Sequence, residues 1–293
     1  MTVRIGAKVP NSGPQPLAAG IGATARALED VGYDSLWVSD HVVLPREIGS
    51  RYPFAADGKA TWSTDTPYFE PVVALAMMAE ATARADLGTA VLVAPLRNPV
   101  LLAKQLASID VLSGDRLVIG AGAGWLREEF DALNVPFARR GSRLEEWIAI
   151  MRECWTGTPA ARSSDFYELP ADLLSLPATT RPVPVLVGGH SPVALRRAGA
   201  VGDGWLAQQD ASELDPDELR AAREQVAAAA RDAGRDPQAI RVVLRIVGSS
   251  GACDLVAARL AELGRAGVDE VIVDVIDGDP ARDLDLLREG AAA

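Results

Sequence analysis

The sequence predicts an α/β fold: a (β/α)8 TIM barrel, one domain over residues 1–293, with insertion segments at the carboxyl-end face of its strands. Three observations carry this expectation. Short apolar runs alternate with longer amphipathic ones, and eight strand-like runs can be counted. These runs are continuous Val/Ile/Leu/Ala stretches, the pattern of strands covered by helices on both faces. The chain has 293 residues, within the range of one such barrel, about 250 residues or more with insertions. The rival is an open doubly wound sheet. Eight units in one domain favour closure, which leaves no exposed edge.

The first strand is expected at 3–9, followed by helical spacing over 17–31. The run SLWVS places a second strand at 35–39. Helix 71–84, strand 87–94, helix 100–112 and strand 117–121 follow. The later strands fall at 183–187, 204–207, 241–247 and 270–276, with helices at 193–200, 217–232 and 254–265. Two stretches, 42–69 and 158–181, lie outside this repeat. Long irregular segments in compact domains often serve as lids or binding loops. The first leaves the carboxyl end of a strand and is assigned a functional part. The second reads equally well as a surface excursion.

A net charge of -11 speaks against nucleic acid and anionic membrane surfaces as partners. No stretch approaches the apolar length of a membrane span, and the first residues lack the apolar core of a secretion signal. The expected location is cytoplasmic. Two cysteines, Cys154 and Cys253, and two histidines give no zinc-ligand spacing, so no metal is expected. Cys154, beside Trp155 in a helical pattern, reads as a buried thiol.

Chemistry-bearing residues cluster where strands end. Ser39-Asp40-His41 leaves the second strand, where a barrel places catalytic groups. Imidazole can act there as base, acid or donor; the plain alternative is a histidine that caps a strand. Gly120-Ala121-Gly122-Ala123-Gly124-Trp125 leaves the fourth strand. Its G-x-G-x-G spacing is not the dinucleotide fingerprint, but glycines there allow close approach to a flat ring, or simply a tight turn. Gly188-Gly189-His190-Ser191-Pro192 leads into a helix. It reads as a phosphate cradle, with Ser191 also a natural N-cap. Weaker signals are Pro95-Leu96-Arg97-Asn98-Pro99 and Gln208-Gln209-Asp210. Arg140 and Arg143 lie near Glu145 and Glu146, where surface pairing is the default expectation.

The segments SLWVSDHVVLP, LSGDRLVIGAGAGWLREEF, RRGSRLEEWI and PVPVLVGGHSPVALRRAGAVGDGW resemble the bacterial luciferase-like superfamily. Within it, they resemble the coenzyme F420-dependent oxidoreductases of actinobacterial type. The resemblance is dense over residues 35–205. It implies hydride transfer between the deazaflavin and a small organic substrate, with His41 handling the proton and Asp40 orienting it. Asp40, Ala90, Val91, Ala123, Gly124, Gly188, Gly189, His190 and Ser191 match cofactor-contacting positions, Ala90-Val91 matching a non-proline cis peptide. Trp125, Trp62 and Tyr68, with Tyr52 and Phe54, would wall the substrate pocket. In sugar-phosphate dehydrogenases of the family an acid stands at position 125. Indole cannot replace it as a proton donor, so that role is unassigned and a sugar phosphate is not expected. The resemblance also implies a homodimer. The alternatives are an FMN-dependent monooxygenase supplied by a partner reductase, and a non-catalytic flavin-binding barrel.

Overall fold

A computed structural model describes residues 2–55, 57–60, 62–275 and 278–292. Eight parallel strands close into a barrel in the order β1-β10-β9-β8-β7-β4-β3-β2. They are β1 (Arg4–Lys8), β2 (Ser35–Val38), β3 (Asp86–Val93), β4 (Leu117–Gly122), β7 (Val185–Gly188), β8 (Gly204–Asp210), β9 (Arg241–Val247) and β10 (Glu270–Asp274). The open-sheet rival is thereby excluded: β1 pairs with both β2 and β10. The strand expected at 270–276 ends at Asp274, and its last expected residue, Ile276, lies outside the described residues.

The helices cover the barrel. They are α1 (Gln15–Ala19), α2 (Ile21–Val31), α3 (Pro71–Ala81), α4 (Pro99–Ser113), α5 (Arg127–Ala132), α6 (Arg140–Trp155), α7 (Pro192–Val201), α8 (Pro216–Asp232), α9 (Cys253–Arg265) and α10 (Pro280–Ala292). The helix expected over 17–31 is two helices, because Gly20 sits at φ 79° between them. A right-handed helix cannot pass through that conformation. Four helices begin with an accepting side chain followed by proline: Glu70-Pro71, Asn98-Pro99, Ser191-Pro192 and Asp215-Pro216. Each side-chain oxygen satisfies first-turn amides, and proline has no amide to satisfy.

Most strand residues that face the helices join one large core. The lumen holds a separate plug of Trp37, Val118, Leu186, Leu206, Val243 and Ile272, with Ala90 and Val91 against it. Below the plug, at the amino ends of the strands, Glu270 accepts from Ser35 Oγ and from Arg241 Nη2, while Trp37 Nε1 donates to Ser35 Oγ at 2.7 Å. Polar groups therefore close the floor, and the mouth is left to the carboxyl ends. The stretch 158–181 contains a small antiparallel hairpin, β5 (Arg162–Ser163) with β6 (Glu168–Leu169). It packs on the outside of α4 and α6: Thr179 N–H donates to the Trp155 carbonyl, and Tyr167 stacks edge-on to Trp147 at 5.8 Å. Both cysteines are buried free thiols. Among the described residues no helix is long and apolar enough to cross a membrane.

Gly120 fixes the fit of β4 against β3, since a Cβ there would lie 2.0 Å from the Thr89 carbonyl oxygen. Backbone, unlike a side chain, has no rotamer by which to move aside. Gly120→Ala is therefore expected to lower stability in urea unfolding by about 3 kcal/mol, the upper part of the overpacking range. Unchanged stability would contradict this packing.

Candidate active site

β2 delivers Asp40 and His41 to the mouth, and the two side chains part. The Asp40 carboxylate is fully buried. It accepts two bonds from the Arg97 guanidinium, at 2.7 and 2.9 Å, and one from Val93 N–H at 2.8 Å. Arg97 also bonds the N-cap residue Glu70 at 2.9 Å. One arginine thus ties the exits of β2 and β3 to the start of α3. The expectation that Asp40 orients His41 is corrected: its oxygens are committed to Arg97 and Val93.

The carboxylate beside His41 is Glu129, in the first turn of α5. His41 Nδ1 lies 3.3 Å from Glu129 Oε2. The other Glu129 oxygen accepts from the amides of Val42 and Val43. A carboxylate that accepts hydrogen bonds at both oxygens pairs with a protonated Nδ1, the tautomer in which Nε2 carries the lone pair. Only 2% of the Glu129 side chain and 9% of the His41 side chain are exposed. The neighbouring Glu128 does the same for the next part of the loop. It accepts from the amides of Gly49 and Ser50, at 2.7 and 3.0 Å, and from Ser50 Oγ at 2.6 Å.

The segment 42–69 is thereby folded over the mouth rather than left as a free excursion. Its return is stitched to the end of β1. Asn11 Nδ2 donates to the carbonyls of Ser39 and Phe69, and Asn11 Oδ1 accepts from Ser39 N–H at 3.1 Å. Tyr68 Oη meets Ser39 Oγ at 2.5 Å. Burial pushes the Tyr68 phenol up to about 12, despite the Ser39 bond, so it stays protonated.

The aromatic side chains form one connected wall around the histidine. His41 lies 5.8 Å from Trp62, 5.3 Å from Tyr68 and 6.1 Å from Trp125, ring centre to ring centre. Tyr52 joins Trp62 and Trp125, each at 5.1 Å, and Phe54 at 5.7 Å. Trp62 Nε1 is buried with no hydrogen-bond partner among the described residues. A buried indole N–H without a partner is costly, and here it stands in the wall of a mouth.

Opposite these rings the lumen is lined by glycine. A Cβ on Gly122 would lie 2.7 Å from Val91 Cγ2, and one on Gly188 would lie 2.8 Å from Val91 Cγ1. The Ala90–Val91 peptide is cis. Ala123 packs against the main core. Gly124, at φ 84°, turns the chain into α5, and its carbonyl accepts from Arg140 Nε at 2.8 Å. The turn at Gly188 to Ser191 leads into α7, where Ser191 Oγ accepts from Ala194 N–H. His190 Nε2 accepts from the Gln208 amide at 2.8 Å, and burial pushes this imidazole down, against the pull of Glu218. Its side chain is a neutral brace between β7 and β8, stacked on Trp205 at 5.5 Å.

Arg140 and Arg143 do not pair with Glu145 and Glu146. Arg140 stacks on Phe137 and bonds Gly124, Arg143 bonds the Pro136 carbonyl, and the two glutamates meet Arg197 and Arg162. Helix spacing alone could not foresee this, because the partners come from other elements. Sequence reading also missed Glu129, Arg97 as partner of Asp40, and Lys8, Arg245 and Asp274 in the lumen. The signals were present: two adjacent acids opening a helix in LREEF, and charged residues inside otherwise apolar strands. Among the described residues no group of three or more His, Cys, Asp or Glu side chains could hold a metal ion.

Residues 3–280 match the family model described as luciferase-like monooxygenase. An uncharacterized protein of Mycobacterium tuberculosis (strain ATCC 25618 / H37Rv) is 39% identical over 195 residues, 67% of this chain and 66% of that protein. The F420-dependent glucose-6-phosphate dehydrogenase of Amycolatopsis mediterranei is 33% identical over 213 residues, 71% of this chain. The matched segment spans 59% of that enzyme's length. Among solved structures, an F420-dependent secondary alcohol dehydrogenase in complex with an F420-acetone adduct superposes with a TM-score of 0.78 at 18% identity, covering 99% of this chain and 98% of that one. The oxygenating constituent of the 3,6-diketocamphane monooxygenase of Pseudomonas putida, in complex with FMN, superposes with a TM-score of 0.72 at 17% identity, covering 100% and 98%. At these identities the two structures show the shared fold.

Replacing Arg97 by Ala leaves the Asp40 carboxylate buried and unpaired. The expected loss of stability is about 3–5 kcal/mol, the range for breaking a buried ion pair, read by urea unfolding. A loss below about 1 kcal/mol, as for exposed pairs, would show that Asp40 is not held this way.

Proposed function

This chain belongs to the luciferase-like monooxygenase family, and from that premise we propose that it is a coenzyme F420-dependent oxidoreductase acting on a small organic substrate. One observation carries the reading. His41 is backed by the buried Glu129 carboxylate and ringed by Trp62, Tyr68 and Trp125. When hydride moves to or from a carbon that bears oxygen, a proton must move at that oxygen. A histidine with one nitrogen anchored and the other free is suited to hold it.

The residues present fit a flat ring with a phosphate tail. Gly122 and Gly188 let the Val91 side chain pack directly on the β4 and β7 backbones, so that Val91 can back a flat ring. Trp62 offers a buried N–H that is unpaired among the described residues. The turn of Gly188, Gly189, His190 and Ser191 would hold the phosphate at the amino end of α7, where unsatisfied amides and the helix dipole favour an anion. When bound, the deazaflavin supplies or accepts the hydride, and carbon at its position 5 disfavours oxygen activation.

The chain's own residues then have distinct tasks. Glu129 accepts a hydrogen bond from Nδ1–H and stabilises the imidazolium that would form if Nε2 took a proton from a substrate hydroxyl. In the reverse direction the same imidazolium protonates the oxygen of a carbonyl. Asp40 and Arg97 hold the strand exit and touch no reacting atom. Trp125 and Trp62 wall the substrate and keep out water, while Tyr68 remains a protonated donor. The F420-dependent relatives support the choice of cofactor. The rival is an FMN-dependent monooxygenase.

Titration of the purified protein with F420 and with FMN separates the two. Saturable F420 binding with weaker or no FMN binding is expected. Micromolar FMN binding with no affinity for F420 would overturn the proposal. In turnover with F420, His41→Asn is expected to lower kcat by about 10²–10⁴-fold, the span of general acid–base catalysis, with F420 affinity kept. Unaltered turnover would remove His41 from the chemistry.

A further inference from the structure

The lumen wall facing the glycines carries charge. Lys8 ends β1. A Cβ on Gly6, two residues earlier, would lie 2.2 Å from Ser35 Oγ and 2.8 Å from Trp37 Nε1, both groups of the lumen. Strand alternation therefore points Lys8 into the lumen as well, one layer nearer the mouth. Its register partners are Trp37 on β2 and Asp274 on β10. Arg245 on β9 and Asp274 on β10 occupy the same layer, two residues beyond the plug residues Val243 and Ile272.

Among the described residues these two cations share one carboxylate, and Arg245 holds it. Arg245 Nη2 donates to Asp274 Oδ1, and its Nη1 donates to the carbonyls of Ile246 and Ile272. Lys8 has no hydrogen-bond partner among the described residues. Burial first, then the Arg245 charge, pulls its ammonium down to about 8, with Asp274 opposing. Arg245 also lies within electrostatic reach of Tyr52 and Tyr68, so the charged layer stands beneath the aromatic pocket. Among the described residues, a chain of net charge -11 thus places in its mouth two cations against one carboxylate. Such a charge is unfavourable unless an anion meets it.

We propose that Lys8, flanked by Arg245, is an anion-holding subsite and that the substrate carries a carboxylate. Three of the Arg245 N–H groups are already committed, so the ammonium of Lys8 supplies most of the free donors. That supply matches the two oxygens of a carboxylate better than the three of a phosphate. The aromatic rings above favour an aryl or other flat apolar body on the acid. This placement of substrate rests on the oxidoreductase reading; the anion site itself does not require it.

The probe is benzoate against its neutral isostere benzamide, followed by tryptophan fluorescence without added cofactor. At pH 7 benzoate is expected to bind at least about tenfold more tightly, as for a charge-assisted bond. Lys8→Met is expected to erase the difference while leaving F420 binding in place. Among the described residues the charged groups facing Lys8 are Arg245 and Asp274, and β2 presents uncharged Trp37. Benzoate affinity of the unaltered protein is therefore present below about pH 8 and falls above it, by about tenfold toward pH 9.5. That profile decides the matter even if Lys8→Met does not fold. Equal binding of benzoate and benzamide, or a flat profile, overturns the carboxylate site. Loss of F420 binding with benzoate selectivity intact would instead overturn the cofactor reading.

Discussion

The Glu129 carboxylate lies in the first turn of a short helix, almost wholly buried, and five residues converge on it and its neighbour. One oxygen faces His41 Nδ1, the other takes the amides of Val42 and Val43, and Glu128 takes Gly49 and Ser50. A carboxylate in such a place must be paired or it is destabilising. The loop after β2 must therefore fold back onto α5. α5 is itself fixed by Phe130, which packs with Val93 and Leu96 at the exit of β3. From this one constraint follow the anchoring of His41, the course of the covering segment and the meeting of Tyr52, Trp62 and Trp125.

The barrel beneath supplies the second half of the site through strand alternation. Residues two apart rise through the lumen in layers: a polar floor around Glu270, an apolar plug, then the mouth. In that last layer β4 and β7 contribute Gly122 and Gly188, while β1, β9 and β10 contribute Lys8, Arg245 and Asp274. One side is small and apolar, with Val91 packed on the two glycines, and the other is charged. The phosphate-type turn at Ser191 extends the apolar side, and His41 overhangs the space between.

The strands were legible because two-sided burial writes itself as continuous apolar runs, and the four helices that open with a cap and proline could be placed closely for the same local reason. The break at Gly20 was not legible, because apolar spacing continues through it and only the backbone conformation reveals it. The pairing of the site was least legible. Asp40 meets Arg97 across 57 positions of sequence and His41 meets Glu129 across 88. Asp40 and His41 are adjacent in sequence, yet they leave the strand in different directions. Only closure of the barrel decides which carboxylate backs the histidine. Lys8 was hidden for the opposite reason: a single charge in an apolar strand reads as an edge until its lumen-facing parity is known.

A crystal structure of the protein with F420 bound tests the central claim most directly. The account predicts ring density over Val91 on the side of Gly122 and Gly188, the phosphate at Gly189 to Ser191, and His41 Nε2 facing the space above the ring. Ring density on the far side of the lumen, or a phosphate away from α7, would contradict it.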